Sequence, residues 1–181
     1  LALPLTDAAI DGSTLTDETA WQGGAELNAG FDGPDEERLR ASVNLLWGRG
    51  RLYAWFTSPH APPALSGGDT VELRVTPPGA DEETVWSISS AGETRLRREK
   101  GPAGRDLAPE AARFGVERGE ADWSAETSVP IAAFGLRGVA GERFRVTLRR
   151  CVRGPEAAPS ARSCVQATGE ATLSAEEPQV P

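Results

Sequence analysis

Few residues of this 181-residue chain have side chains that could carry out covalent or redox chemistry. The chain contains one histidine, two cysteines and no methionine, so a haem or a metal centre has few candidate ligands. The histidine, His60, lies in a proline-rich segment, and no nucleophile elbow accompanies it. No pair of carboxylates lies in an apolar segment of the kind that creates a general acid for glycoside hydrolysis. We therefore expect a protein that is not an enzyme.

Composition and charge exclude two further classes of partner. The 27 acidic residues outnumber the 19 lysines and arginines and give a net charge of -8, whereas nucleic-acid binders carry basic surfaces. No apolar run approaches the ~18 residues that a membrane-spanning helix needs. With 39% hydrophobic and 25% charged residues, the chain resembles one ordinary globular domain. We expect no nucleic-acid partner and no membrane span.

The cysteines and the N-terminus together suggest an oxidising compartment. The chain begins at Leu1 and contains no methionine, and a processed N-terminus is the simplest explanation, although a trimmed segment would look the same. A cleaved signal peptide would place the protein in the periplasm, at the cell surface or in the medium. Cys151 and Cys164 bracket a stretch rich in Pro, Ala and Ser, so we expect them to form a disulfide. The alternative is a pair of buried thiols in a cytosolic protein.

Alternating apolar and polar residues predict strands along most of the chain. Two aromatic, β-branched runs at 42–47 and 52–57 are separated by Gly48 to Arg51, which predicts a β-hairpin. Further strands are expected at 70–76, 84–89, 94–97, 123–129, 143–149 and 165–173. One helical turn is expected at 131–134, after Pro130.

These elements predict one all-β domain. About eight or nine short strands with Gly and Pro between them are typical of an antiparallel β-sandwich, here a jelly-roll-like one with one short helical turn. We place the domain at residues 10–174, with tails at 1–9 and 175–181. The stretches 101–112 and 154–163 are expected to be surface loops.

Five segments occur in an order that is familiar from one family. They are Ile10-Asp11-Gly12 with Leu15 to Trp21, Leu52-Tyr53-Ala54, Gly68 to Leu73, Asp122 to Pro130 and Arg143 to Arg149. Their order resembles the motifs of family 9 carbohydrate-binding modules and their DOMON-like relatives. The sequence departs from that pattern by inserting Ser13-Thr14 and by placing Arg74 where the family has an apolar residue.

The resemblance implies that two aromatic side chains stack on a sugar ring, because pyranose C–H groups pack against aromatic faces. Trp21 and Trp123 belong to motif segments that look structural, so we expect both in the core. Trp47, Trp55 and Trp86 are then the candidate carbohydrate-binding residues. For each of these three the alternative is an ordinary core position.

The resemblance also implies a structural calcium ion, with no other cofactor expected. Asp11, Asp17 and Glu18 are the candidate metal ligands, and Asp69 and Glu72 are further oxygen donors near strand ends. Calcium takes about six to eight oxygen ligands. The alternative is that these carboxylates are simply solvated.

The strand at 143–149 alternates most cleanly, with Arg143, Arg145 and Arg149 on one face. Three cations in a row need offsetting charges, so we predict that Glu72 or Glu126 pairs with at least one of them. The alternative is a groove for an acidic glycan, because guanidinium groups fit carboxylate and sulfate.

Taken together, these patterns favour non-catalytic, extracellular glycan binding by a family 9 carbohydrate-binding-module-like domain. The partner would be a glycan or an extracellular protein. The alternative is a structural or assembly domain of a secreted or cell-surface complex that has kept the fold without sugar binding. An exposed, facing pair of indoles favours the first interpretation, and burial of all five tryptophans favours the second.

Overall fold

The computed structural model describes residues 1–6, 21, 23–30, 39–59, 68–100, 103–107, 112–153 and 162–175. The strands are β1 (Ala2–Leu3), β2 (Ala25–Ala29), β3 (Ala41–Gly48), β4 (Arg51–Pro59), β5 (Asp69–Thr76), β6 (Glu83–Ser89), β7 (Thr94–Lys100), β8 (Ala103–Leu107), β9 (Arg113–Arg118), β10 (Asp122–Pro130), β11 (Arg143–Arg153) and β12 (Arg162–Leu173). A 3-10 turn covers Ile131–Phe134. Within these ranges, no helix has the length and apolar character needed to cross a bilayer.

The strands form two sheets. One has seven strands in the order β1-β12-β11-β5-β6-β7-β8, and the other has five in the order β2-β3-β4-β10-β9. The β1–β12 pair is parallel, and the pairs around β4, β5, β10 and β11 are antiparallel. The predicted all-β sandwich with one short helical turn is therefore confirmed.

One hydrophobic core lies between the two sheets. Because side chains alternate along each strand, Val43, Leu45 and Phe56 of the five-stranded sheet face inward. Leu73 and Val146 of the seven-stranded sheet face them, and each of these five residues is at most 1% exposed. This face-to-face burial of apolar side chains supplies the main stabilisation of the sandwich.

The β3–β4 hairpin forms where the sequence predicted it. Gly48 pairs with Arg51, so the turn consists of Arg49 and Gly50, whose φ angles are 50° and 72°. Positive φ at both central residues matches the twist of the flanking strands. The turn fixes the register of the two strands that carry the aromatic residues described below.

Four strands were not predicted: β1, β2, β8 and β9. Residues 2–3 were expected to be part of a tail, but β1 pairs with β12 and Leu3 is completely buried. The stretch 101–112 was expected to be a loop, but β8 pairs with β7 there. Strand β2 alternates but is only five residues long, whereas β1, β8 and β9 lack clear alternation and become strands because a neighbouring strand offers its free backbone groups.

The arginine strand behaves as predicted. Arg143, Arg145 and Arg149 point away from the core while Phe144 to Leu148 alternate inward, and Arg149 Nη1 lies 3.6 Å from Glu72 Oε2. Glu126 lies on β10 in the other sheet, so the Glu72 half of the prediction is the one confirmed.

The predicted disulfide is also present. Cys151 and Cys164 are opposite each other in the β11–β12 register, and their sulfurs are bonded at 2.04 Å. The bond therefore links two neighbouring strands of the seven-stranded sheet.

Candidate functional site

The outer face of the five-stranded sheet carries a small aromatic cluster separate from the core. Because Leu52, Ala54 and Phe56 of β4 face inward, Tyr53 and Trp55 face outward. Trp21, Leu46, Tyr53 and Trp55 pack together there and form what we call the aromatic cluster. The rings of Trp21 and Trp55 have centroids 6.0 Å apart and planes inclined by 50°.

Both indoles of the aromatic cluster have an unused hydrogen-bond donor. The Nε1 atoms of Trp21 and Trp55 are buried, and neither has a hydrogen-bond partner among the described residues. A buried N–H without an acceptor costs about 1–3 kcal/mol. Because both atoms are buried, this cost belongs to the packing of the aromatic cluster.

Polar side chains surround the aromatic cluster. In the sheet register Trp55 lies between Asn44 of β3 and Glu126 of β10, and Tyr53 lies opposite Ser128. Glu126 and Ser128 are at most 1% exposed although they are on the outer face. Asn44 is partly exposed beside the partly exposed Trp55, and an aromatic ring with an amide beside it can recognise a ligand rich in hydroxyl groups.

Arg51 sets the electrostatics around Tyr53. Its Nε donates to Ser128 Oγ at 2.5 Å and its Nη2 donates to the Ser128 carbonyl oxygen at 2.8 Å. Burial raises the pKa of Tyr53 above its ordinary value, and the charges of Arg51 and Arg49 offset part of that rise. The Tyr53 phenol therefore stays protonated and can donate a hydrogen bond at neutral pH.

A polar groove lies at one end of the same sheet. It has a volume of about 690 Å³, and Thr57, two residues beyond Trp55 on β4, is in its wall. The lining side chains include Asn28, Arg40, Ser42, Thr57 and Asp122. The aromatic cluster and the groove lie on the same sheet and share strand β4, and together we call them the candidate site.

A buried ion pair lies beneath the groove. Arg150, which is completely buried, donates from Nε to Asp69 Oδ1 at 2.9 Å and from Nη2 to Asp69 Oδ2 at 2.5 Å. It also donates to the carbonyl oxygens of Arg40 at 2.8 Å and Pro59 at 2.6 Å. Trp123 Nε1 donates to Asp69 Oδ2 at 3.0 Å. This network ties the seven-stranded sheet to two residues that line the groove.

This ion pair was not predicted from the sequence. The two-residue spacing of inward-facing positions could have revealed it. Arg150 continues the inward-facing series Phe144, Val146 and Leu148, and Asp69 lies two residues before the inward-facing Val71. A charged residue at a core-facing position implies a buried partner of opposite charge.

Trp47 and Trp86, two of the three predicted binding residues, are instead core residues. Trp86 is 3% exposed and lies between Leu73 and Leu96 in the sheet. Trp47 is 7% exposed and its Nε1 donates to the Ser174 carbonyl oxygen at 2.8 Å. A buried indole presents no face to a sugar, so only Trp55 stays a candidate.

Of Trp21 and Trp123, which were both expected in the core, only Trp123 lies there. Trp123 is 1% exposed and lies in the core as predicted. Trp21 is also buried, but it lies in the aromatic cluster on the outer face. Because it is buried, it presents no face to a sugar and instead packs against Trp55.

The calcium hypothesis stays a prediction. Asp11, Asp17 and Glu18 lie outside the described residues, as does His60. Within the described ranges, no group of three His, Cys, Asp or Glu side chains could hold a metal ion. The remaining two carboxylates are used otherwise, because Asp69 pairs with Arg150 and Glu72 contacts arginines at 2.9 to 3.6 Å.

The sandwich with this face has the fold of a family 9 carbohydrate-binding module. One similar structure is a candidate carbohydrate-binding protein from Bacteroides uniformis, with a TM-score of 0.68, 14% identity, and coverage of 96% of this chain and 98% of that chain. A family 9 module from Caldicellulosiruptor kristjanssonii in complex with glucose has a TM-score of 0.66 and 10% identity, over 99% of this chain and 97% of that one. A family 9 module from the same organism in complex with cellotriose has a TM-score of 0.64 and 11% identity, over 97% and 94% of the two chains.

Sequence comparison adds nothing to this structural likeness. No protein-family model and no curated protein sequence matches the chain. With identities of 10–14%, the likeness establishes the fold, and function has to be argued from the site. The resemblance to DOMON-like proteins stays a prediction.

Proposed function

We propose that this protein binds a neutral carbohydrate at the candidate site, without catalysing its hydrolysis. The observation that carries the proposal is the partly exposed Trp55 ring on the outer face of the sheet, with Asn44 beside it and the polar groove two residues farther along β4. The C–H faces of a pyranose pack on an indole, and its hydroxyl groups form hydrogen bonds with amide and hydroxyl side chains. The glucose and cellotriose complexes of proteins with the same fold support this ligand class.

The geometry favours stacking on one aromatic face. Carbon atoms in contact are about 3.5–4.0 Å apart, so a sugar held between two parallel rings needs about 7–8 Å between them. The Trp21 and Trp55 centroids are 6.0 Å apart and the rings are tilted by 50°, so no sugar fits between them. The partly exposed Trp55 supplies the single stacking face, and Trp21 supports it from the side.

The polar groups beside Trp55 suit the hydroxyl groups of a neutral sugar. Asn44 and the hydroxyl groups of the groove provide neutral donors and acceptors for sugar hydroxyls.

Calorimetric titration with glucose and cellotriose tests the proposal. We expect Trp55→Ala to weaken binding at least tenfold, because it removes the stacking face. Phe114→Ala is the matched control, since Phe114 is an aromatic residue that is 42% exposed outside the candidate site. Equal binding by wild type and Trp55→Ala, with both variants folded by near-UV circular dichroism, would contradict the proposed site.

A second candidate function is a structural or assembly domain. Four of the five tryptophans are buried, at 1–7% exposure, as expected of a fold that has lost its sugar-binding surface. Failure of the wild type to bind any neutral or acidic glycan on an array would favour this second function.

Release of shorter sugars from cellotriose would contradict the non-catalytic role.

We further propose that the protein acts outside the cytoplasm, as a glycan-binding or assembly domain would. The support is the Cys151–Cys164 bond, because disulfides persist in oxidising compartments. Fractionation of the native host, with detection of the protein by immunoblot, tests this location. Recovery in the reduced cytosolic fraction would contradict it.

A further inference from the structure

The edge of the five-stranded sheet is a surface that the proposed function does not use. Strand β9 pairs with β10 on one side, and in the described part of the chain it has no neighbour on the other side. Phe114 on this strand is 42% exposed, and both ends of the strand are solvent-exposed. An open cavity of about 490 Å³ lies beside it, between Phe114, Val116 and the Ala91–Gly92 turn. Free backbone groups on an exposed edge are a template for another strand.

The β9–β10 hairpin shows which backbone groups of β9 are free. Gly119 N donates to the Asp122 carbonyl oxygen at 2.9 Å, and in an antiparallel pair the bonded residues alternate along the strand. Arg113, Gly115 and Glu117 therefore bond to β10. The N–H and C=O groups of Phe114 and Val116 point to the free edge.

We propose that β9 pairs antiparallel with β9 of a second copy of this chain, with the two-fold axis at Gly115. In this register Arg113 lies opposite Glu117 of the second copy, and Phe114 lies opposite Val116 of the second copy. Symmetry repeats both contacts, so each dimer contains two ion pairs and two apolar pairs. The strand sequence Arg-Phe-Gly-Val-Glu is thus self-complementary in both charge and hydrophobicity.

The neighbouring registers lack this complementarity. With the axis at Val116, Phe114 would lie opposite Arg118 and Gly115 opposite Glu117. With the axis at Phe114, Arg113 would lie opposite Gly115 and lose its partner. Only the Gly115 axis pairs the opposite charges directly, and it keeps Phe114 and Val116 on the same inward-facing side of the sheet.

The association is weak because the interface is small. A pair of six-residue strands buries less than the ~1,200 Å² at which specific, stable interfaces begin. We therefore expect reversible dimers that form at high protein concentration or on a surface where the chains are crowded.

Pairing would place two candidate sites on one face. The two-fold axis is perpendicular to the sheet, so both outer faces point the same way in a continuous ten-stranded sheet. Five strand spacings of about 4.8 Å separate one β4 from the other, which puts the two Trp55 side chains about 24 Å apart. The pairing itself does not depend on the proposed function, but its consequence, bivalent binding to one polysaccharide, does.

Sedimentation equilibrium from about 10 µM to about 1 mM protein, the range for weak interfaces, tests the pairing. Val116→Pro should abolish dimers without unfolding the monomer, because its N–H points to the free edge where proline is tolerated. Val139→Ala is the matched control, since Val139 is 47% exposed elsewhere. A wild type that stays monomeric throughout, or dimers that Val116→Pro leaves unchanged, would overturn the proposal.

Charge exchange tests the register. Arg113→Glu and Glu117→Arg should each weaken dimerisation about tenfold, which is about 1.4 kcal/mol, since each replaces two attractive pairs by repulsive ones. The double variant should restore wild-type association, and a mixture of the two single variants should form heterodimers. Failure of the double variant to recover, with wild type dimeric, would overturn the Gly115 axis.

Discussion

Replacing Asp69 by asparagine removes the charge partner of Arg150 while keeping the side-chain size. Arg150 is completely buried, and two of its donors are directed at the Asp69 carboxylate. Asparagine offers one acceptor oxygen and turns an N–H₂ group toward the guanidinium. Removing one partner of a buried ion pair costs about 3–5 kcal/mol. That loss is a fifth or more of the ~5–15 kcal/mol that typically stabilises a domain.

Urea unfolding with the disulfide intact measures this loss. The matched control is the double variant Asp69→Asn/Arg150→Met, which also removes the buried cation. We expect it to be more stable than Asp69→Asn alone, because no unpaired charge is left in the core. Recovery should be incomplete, since the carbonyl oxygens of Arg40 and Pro59 lose their donor.

Two results would refute this reasoning. One is a loss below about 1 kcal/mol for Asp69→Asn, which would mean that the pair is solvated or weak. The other is strict additivity of the two substitutions, because residues in one network couple by about 0.5–3 kcal/mol.

Two further predictions concern stability. Glu142 accepts hydrogen bonds from the backbone N–H groups of Arg137 and Gly138 at 2.8–3.0 Å; burial raises the pKa of this carboxyl, but these bonds and the Arg137 charge hold it below its ordinary value. The stabilisation by the Glu142 carboxylate is therefore present above the unfolded pKa of about 4.3 and is lost as the pH falls through the folded pKa. Glu142→Gln should cost about 1–3 kcal/mol of unfolding free energy at neutral pH and little in acid. A melting-temperature difference between wild type and variant that does not change with pH would contradict this. Replacing Cys151 and Cys164 together by alanine should cost about 3 kcal/mol through the lost loop constraint, measured by urea unfolding, and a loss below about 1 kcal/mol would show that the β11–β12 pairing holds the loop without the bond.

Local sequence pattern determined most of the strands. The β3–β4 hairpin, β5, β10 and β11 each combine period-two alternation with Gly or Pro at their ends, and that information is contained in a few neighbouring residues. The outward face of Arg143, Arg145 and Arg149 follows from the same rule. These features could be predicted because they depend on nothing distant in the chain.

Tertiary structure decided where the tryptophans point. The period-two rule says that Tyr53 and Trp55 share a face, but not which face, because aromatic residues suit either the core or an outer surface. Packing resolved this: Phe56 and Trp86 fill the space between the sheets, and Trp55 meets Trp21 outside it.

The sequence by itself determined most of the strands, and the tertiary structure decided the remaining ones and which side chains meet. Strand β9 has little alternation and forms because β10 supplies its hydrogen bonds. Asp69 and Arg150 are 81 residues apart in the chain, and only the pairing of β5 with β11 brings them into one buried network. The physical reason is that the local pattern fixes which side chains share a face of a strand, whereas the strand's neighbours, and for aromatic residues the face that is buried, are fixed by long-range packing.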